Sequence, residues 1–234
     1  MRRYGILILG AVVAVTCVRL GVWQLSRLGQ RRALRALVDR RERMSPLDLA
    51  AVTGATDSLI YRAATVRGTF DLAHQLLVMD RVVREVPAVY VVTPLRYGDR
   101  AVLVERGWTP SPDAYSVPLE ALAEPETTSV TGVLMPVAHA IPPESSAWPL
   151  HVRRADPASL SARLPYPLFP LVLRRTRATR SLPVKLRLLT APALDNGPHL
   201  SYAIQWFSFA AIAIVGSAIL FLKDRRERRA SGTP

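Results

Sequence analysis

Two long apolar runs stand at opposite ends of the chain, residues 4–25 and 202–222. Each has the roughly 20 residues that cross about 30 Å of hydrocarbon at about 1.5 Å per helical residue. After Trp23 the pattern over residues 28–43 stays helical, with Leu34 and Leu37 apolar among arginines, so the first helix is expected to continue past its apolar run. Ser45-Pro46 breaks it, and residues 47–59 read as an amphipathic piece or a loop. From Tyr61 the period becomes that of strands. β-Branched residues between turn signals mark residues 61–70, 75–81, 88–96 and 101–108, with further candidates at 129–135, 150–154 and 168–176. Tyr97-Gly98-Asp99 predicts a hairpin turn, and residues 157–164 a short helix with proline near its start. Residues 109–118 and 141–149 are proline-rich linkers.

This pattern predicts a membrane protein in which two transmembrane α-helices flank a mainly β domain, an antiparallel sheet or small barrel of the α+β kind. The expected segments are a first transmembrane helix (1–26), an arginine-rich helical extension and linker (27–59), a β domain (60–197), a second transmembrane helix (198–222) and a basic tail (223–234).

Charge decides the expected orientation. The net charge is +13, and the basic residues are all arginine except Lys185 and Lys223. The first run is long for a signal peptide and no small-residue cleavage site follows Leu25, so it is expected to be retained. Arg19 interrupts it about one helical turn from Trp23, an interfacial anchor, within reach of the membrane surface by snorkelling. Lys223, Arg225, Arg226, Arg228 and Arg229 directly follow the second run and favour cytoplasmic termini, which makes the central domain extracytoplasmic. Arg27, Arg31, Arg32, Arg35, Arg40, Arg41 and Arg43 argue the other way, but long domains translocate largely regardless of charge. A nucleic-acid role is disfavoured, since the basic residues lack interleaved aromatics; attraction to anionic membrane lipids accounts for the charge.

Candidate chemistry is sparse. Cys17 is alone and lies in the first run, which excludes a disulfide framework and a Cys-x-x-Cys motif. His74, His139, His151 and His199 show no metal-ligand spacing, and no hydrolase motif occurs, so no enzymatic activity is expected. His199 stands out, because Gly197-Pro198 sets a helix start that places it at the outer mouth of the second span. Two roles are open to it: an interfacial polar residue, or an axial ligand of a haem iron. At helical spacing His199, Tyr202, Ala203, Trp206, Ala210, Ala213 and Ser217 share one face, and Gly10, Ala14, Cys17, Gly21 and Gln24 share another. Small residues let such faces approach closely. Antiparallel packing would then bring Trp23, Gln24 and Arg27 level with His199, Tyr202 and Trp206, an aromatic, imidazole and cationic cluster that could receive haem with its propionates or form an ordinary aromatic belt.

Four blocks in order resemble the surfeit-locus (Surf-type) cytochrome c oxidase assembly family: Leu20-Gly21-Val22-Trp23-Gln24-Leu25 with Arg27, Val66-Arg67-Gly68-Thr69-Phe70, Val102-Leu103-Val104-Glu105-Arg106-Gly107-Trp108, and His199-Leu200-Ser201-Tyr202-Ala203-Ile204-Gln205-Trp206-Phe207. The resemblance implies a chaperone-like assembly factor of the haem-copper oxidase in the respiratory chain, acting at or near haem a insertion into the largest subunit. It implies two spans in the cell (plasma) membrane of a bacterium with the intervening domain outside. A histidine of the second span is implicated in haem binding in bacterial members, and His199 occupies the matching block. Gly197-Pro198 precedes it where many relatives carry asparagines. Haem a, held transiently, is thus the expected cofactor, with His199 on the iron and Tyr202, Trp206, Trp23, Gln24 and Arg27 around it. The expected partners are cytochrome c oxidase subunits, haem a synthase and membrane lipids. The alternatives are a scaffold that binds oxidase subunits without touching haem, and a membrane-anchored enzyme. The cluster from Arg27 to Arg43 has three candidate contacts: lipid, haem propionates or a partner. Gly68, Gly107 and Trp108 are expected to be structural, through close backbone approach and core filling.

Overall fold

The computed structural model describes residues 2–54, 56–140, 143, 145, 147–177, 182–189, 197–230 and 232, without the side chains of residues 2, 3 and 228–230. Parts of the 141–149 linker, the end of the expected β domain and the side chains of Arg228 and Arg229 therefore lie outside the described residues. The chain forms two compact units, one of residues Met1–Leu37 and Leu194–Pro234, the other of Val38–Ala193.

The first unit is a pair of long helices, α1 (Arg2–Glu42, whose last turn belongs to the second unit) and α3 (His199–Ala230). α1 runs unbroken through its arginine-rich half, as the helical periodicity predicts. Only 22% of the most apolar window of α1 and 6% of that of α3 is buried, so these are not the core helices of a soluble domain. Side chains such as Ile8, Val15, Ile212 and Ile219 face outward, more than half exposed. Two candidate membrane-spanning helices with apolar outer surfaces suggest membrane association.

The second unit is built on strands β1 (Leu47–Asp48), β2 (Ala63–Phe70), β3 (Leu76–Val83), β4 (Val86–Tyr97), β5 (Arg100–Pro110), β6 (Thr127–Met135), β7 (Leu150–Val152) and β8 (Val172–Arg177), with one short helix, α2 (Pro157–Leu160). Every strand expected from periodicity is present. α2 is shorter than the expected helix because a 3₁₀ turn, Ser161–Arg163, takes over. The ambiguous residues 47–59 supply β1, which pairs in parallel with β2, and two 3₁₀ turns.

Strand order is β1-β2-β6-β8-β5-β4-β3-β7, and β2 also pairs with β4. That extra pairing, Thr69 with Arg96 and Phe70 with Leu95, closes β2, β6, β8, β5 and β4 into a ring. A small barrel results, with β3 and β7 extending from the other end of β4. Closure needs Gly68, since a Cβ there would lie 2.2 Å from the Arg96 carbonyl oxygen. Most pairings are antiparallel as expected, but β1 with β2, β3 with β7 and β5 with β8 are parallel. Two hairpins meet at β4. Gly98, at φ +55°, turns β4 into β5, whereas Arg84 and Glu85, at φ +51° and +66°, supply the two left-handed positions between β3 and β4.

The barrel interior is Val66, Phe70, Leu95, Val102, Val104, Val130, Leu134 and Leu173, all buried. On β5 the inward alternation Val102, Val104 continues to Arg106, which is 1% exposed. Burying a guanidinium is tolerable only with full pairing. Arg106 Nε donates to Glu124 Oε1 at 2.8 Å, Arg106 Nη1 donates to Gln75 Oε1 at 3.1 Å, and its plane lies 5.3 Å from the Phe70 ring centre. Glu124 also accepts from Arg175 Nη1 at 2.6 Å, so one carboxylate joins two buried arginines. Trp108 ends this strand in a separate cluster with Ala88 and Leu189, beneath the Arg187 guanidinium. Gly107 lets the Arg187 backbone approach, for a Cβ would lie 2.5 Å from its carbonyl oxygen.

Candidate functional site

The seam of the helix pair sets the geometry of the candidate site. Gly10 faces Ser217 so closely that a Cβ would lie 1.8 Å from its Oγ, and Gly21 faces the Phe207 ring at 2.7 Å by the same measure. Between them Ala14, Cys17 and Ala210 are buried together, with Trp206 and Ala213 packed against them. The main contact positions are 10, 14, 17, 21 and 24 on α1 and 199, 203, 206, 210, 213 and 217 on α3, with Phe207 beside them against Gly21. They alternate in threes and fours, the spacing of antiparallel helices packed along one stripe. Each α1 face residue expected from the sequence lies in this seam.

At the end that carries Gln24 and His199 the seam finishes in a polar contact. Gly197, at φ +63°, turns the chain into Pro198, and the Pro198 carbonyl accepts from Tyr202 N at 3.1 Å and Ser201 Oγ at 2.8 Å. This first turn presents His199 to α1, where its Nδ1 lies 2.8 Å from Gln24 Oε1 in a partly buried hydrogen bond. An amide oxygen only accepts, so Nδ1 is the donor in this contact. A Cβ on Gly197 would stand 3.3 Å from both Cδ2 and Nε2 of that ring, so glycine keeps a side chain off this edge.

The other expected residues divide. Trp23 lies next to Gln24 but is half exposed, and the Arg27 guanidinium lies 5.8 Å from its ring centre while donating to Gln30 Oε1 at 3.1 Å. Tyr202 is 46% exposed. The expected α3 face is corrected here: Ala203 is in the seam at 1% exposure, and Tyr202, one residue earlier, is rotated by about 100° to its flank. Trp206 is not level with Trp23 and Gln24; it packs beside Ala14 and Cys17, about 10 Å deeper than His199 at seven helical rises. Of the expected site residues, His199 and Gln24 are joined by a hydrogen bond and Arg27 lies over Trp23. Phe207 was not expected in the seam, and Leu28, buried at 5%, continues the α1 spacing by four beyond Gln24, which is the signal that could have found it.

In the β unit, no group of three metal-ligating side chains is present among the described residues. His74 shares Asp71 with Tyr166: Asp71 Oδ2 is 2.7 Å from His74 Nδ1 and accepts from the Tyr166 hydroxyl at 2.7 Å. Burial raises the Asp71 carboxyl, and the hydrogen bonds from Tyr166 and His74 outweigh it, holding the group below the usual carboxylate range.

A model of the SURF1 family matches residues 11–211. A SURF1-like protein of Monosiga brevicollis is 28% identical over 223 residues, which cover 86% of this chain and 82% of that one. Surfeit locus protein 1 of Homo sapiens is 34% identical over 116 residues, and that of Rattus norvegicus 33% over 114. These shorter matches cover 42% of this chain and span 39% of the human and 37% of the rat protein.

Proposed function

The chain belongs to the SURF1 family, and from that premise we propose that it is a membrane-anchored assembly factor of the haem-copper cytochrome c oxidase, assisting haem a insertion or maturation of the largest subunit. The observation that supports this reading is the 2.8 Å contact between His199 Nδ1 and Gln24 Oε1. Histidines that hold metals are characteristically oriented by a hydrogen bond at their other ring nitrogen. Here Gln24 supplies it, orienting the ring, and Gly197 puts no side chain against the Nε2 edge.

The residues fit a haem. A haem iron takes an imidazole nitrogen as axial ligand. His199 would provide it, Arg27 would pair with a propionate, and Trp23 and Tyr202 would offer aromatic faces at the lipid boundary. Trp206 would act from below, by fixing the helix spacing on which the His199 position depends. In this role the protein makes and breaks no covalent bond: it binds, orients and shields. The termini are cytoplasmic and the β domain extracytoplasmic in the cell membrane of a bacterium, with oxidase subunits and haem a synthase as partners.

The test is the visible absorption spectrum of detergent-purified protein co-expressed with haem a synthesis, for the parent, His199→Ala and Gln24→Leu. A Soret band in the parent, lost in His199→Ala and weakened or shifted in Gln24→Leu, is expected. No band in any of them, with oxidase subunits still copurifying, would overturn haem holding and leave a scaffold.

A further inference from the structure

The β unit contains a cleft of about 640 Å³ between the diverging ends of β3 and β7 and the segment around His139 and Ala140. Its volume is that of a small-molecule site. The walls include Met79, Ala140, Pro143 and Val152, and the charged groups are Arg81, Arg153 and Arg154 against one carboxylate, Asp80.

Three features show how it is built. β3 pairs with β4 through Val78, then slips register before Arg81, and Asp80 takes φ +55° in that bulge. A non-glycine residue in the left-handed region costs about 1 kcal/mol or more, and bulges of this kind re-aim side chains. The bulge presents Arg81, whose guanidinium lies 5.5 Å from the Tyr90 ring centre and donates through Nη2 to the Arg153 carbonyl at 2.5 Å. Its Nε is buried and has no hydrogen-bond partner among the described residues. The guanidinium is thus clamped in place. The opposite wall is fixed by Asp156, 4% exposed, which accepts from Ala140 N at 2.9 Å and from Ala158 N at 3.1 Å and lies 3.1 Å from His139 Nδ1. His151 stacks on Tyr115 at 3.9 Å, which sets its plane at the cleft.

The lining carries three guanidiniums and one carboxylate, with the buried Asp156 carboxylate behind the opposite wall, so positive charge is in excess among apolar walls. A dianion on an apolar body matches that arrangement, and guanidinium forks suit its tetrahedral oxygens. We propose that this cleft binds a phosphate group carried on an apolar body, contacted by Arg81, Arg153 and Arg154. The site is separate from the His199 mouth and does not rest on the haem reading. The phosphate can come from a lipid headgroup or from a soluble phosphate ester.

Calorimetric titration of the full chain in a neutral maltoside detergent, with dihexanoylphosphatidic acid and with glycerol 3-phosphate, tests the proposal and separates the sources. At least one probe binds the parent. Affinity falls about tenfold or more in Arg154→Gln, an exposed substitution, and in Arg81→Lys, and is unchanged in Arg225→Gln on the tail. Tenfold tighter binding of the phosphatidic acid assigns the site to lipid, and equal binding assigns it to soluble esters. Binding of neither probe, or equal losses in Arg154→Gln and Arg225→Gln, overturns it. Unchanged thermal unfolding of Arg154→Gln shows that any loss is not a folding defect.

Discussion

Gln24 and His199, 175 positions apart in the chain, meet at 2.8 Å at one end of the helix seam, and with an amide oxygen opposite it Nδ1 is the donor. Imidazole ¹⁵N spectra of selectively labelled protein should show His199 with Nδ1 protonated and Nε2 bare. Gln24→Leu should give a mixture of tautomers, and the lost, partly buried hydrogen bond should cost about 1 kcal/mol. An unchanged spectrum in Gln24→Leu would deny that this amide sets the tautomer.

Close helix approach depends on Gly21, and Cys17, the sole thiol, reports on it. Cys17 is 6% exposed within the seam. Gly21→Leu must displace the Phe207 ring and part the helices, so Cys17 should react severalfold faster with a small membrane-permeant maleimide. Gly29→Leu, where nothing lies within 4 Å, should leave the rate unchanged.

Glu124 is the counter-ion shared by two arginines that are 1% exposed. Glu124→Ala leaves both buried charges without a counter-ion and should destabilise the protein by about 3–5 kcal/mol, read from denaturant unfolding followed by tryptophan fluorescence. Replacing Arg106 and Arg175 by methionine together with Glu124→Leu should recover much of that loss, since a packed apolar triad often equals a buried ionic one.

Barrel closure can be tested at Gly68. Gly68→Ala puts a methyl into the Arg96 carbonyl and should cost several kcal/mol, as steric overlaps with backbone do. Gly98→Ala meets no atom within 4 Å and should cost only the left-handed penalty at φ +55°, about 1 kcal/mol.

Asp71 makes stability sensitive to acid. Its carboxyl is held below the ordinary range in the fold, so its contribution is complete above the unfolded pKa, about 3.9, and is lost as pH falls through the lower folded value. Tyr166→Phe removes one of the two side-chain donors. The Asp71 carboxyl ¹³C titration should then move upward, and acid unfolding should begin at higher pH.

The elements were legible in the sequence to a degree that follows from what local periodicity encodes. Runs of apolar residues gave the spans, alternation gave the strands of the barrel, and the threes and fours from Gly10 to Gln24 marked the face that α3 meets. Helical spacing does not distinguish seam from flank within a turn, so it puts Tyr202 and Ala203 on one face although only the second is buried. Arg106 was unreadable as a buried residue. In sequence a charge between Glu105 and Gly107 looks solvated, and what removes it from water is Glu124, 18 residues on, with Arg175 beyond.

By itself the sequence determined two apolar helices, the run of strands between them and the position of His199 at a helix start, because each depends on residues within a turn or a strand of one another. The tertiary structure alone decided that β2 closes on β4, that β5 and β8 run parallel, that Asp80 bulges toward a basic cleft and that Gln24 holds the His199 imidazole. These are pairings between segments far apart in the chain, and their free energy comes from surfaces that become adjacent only when the whole core is excluded from water.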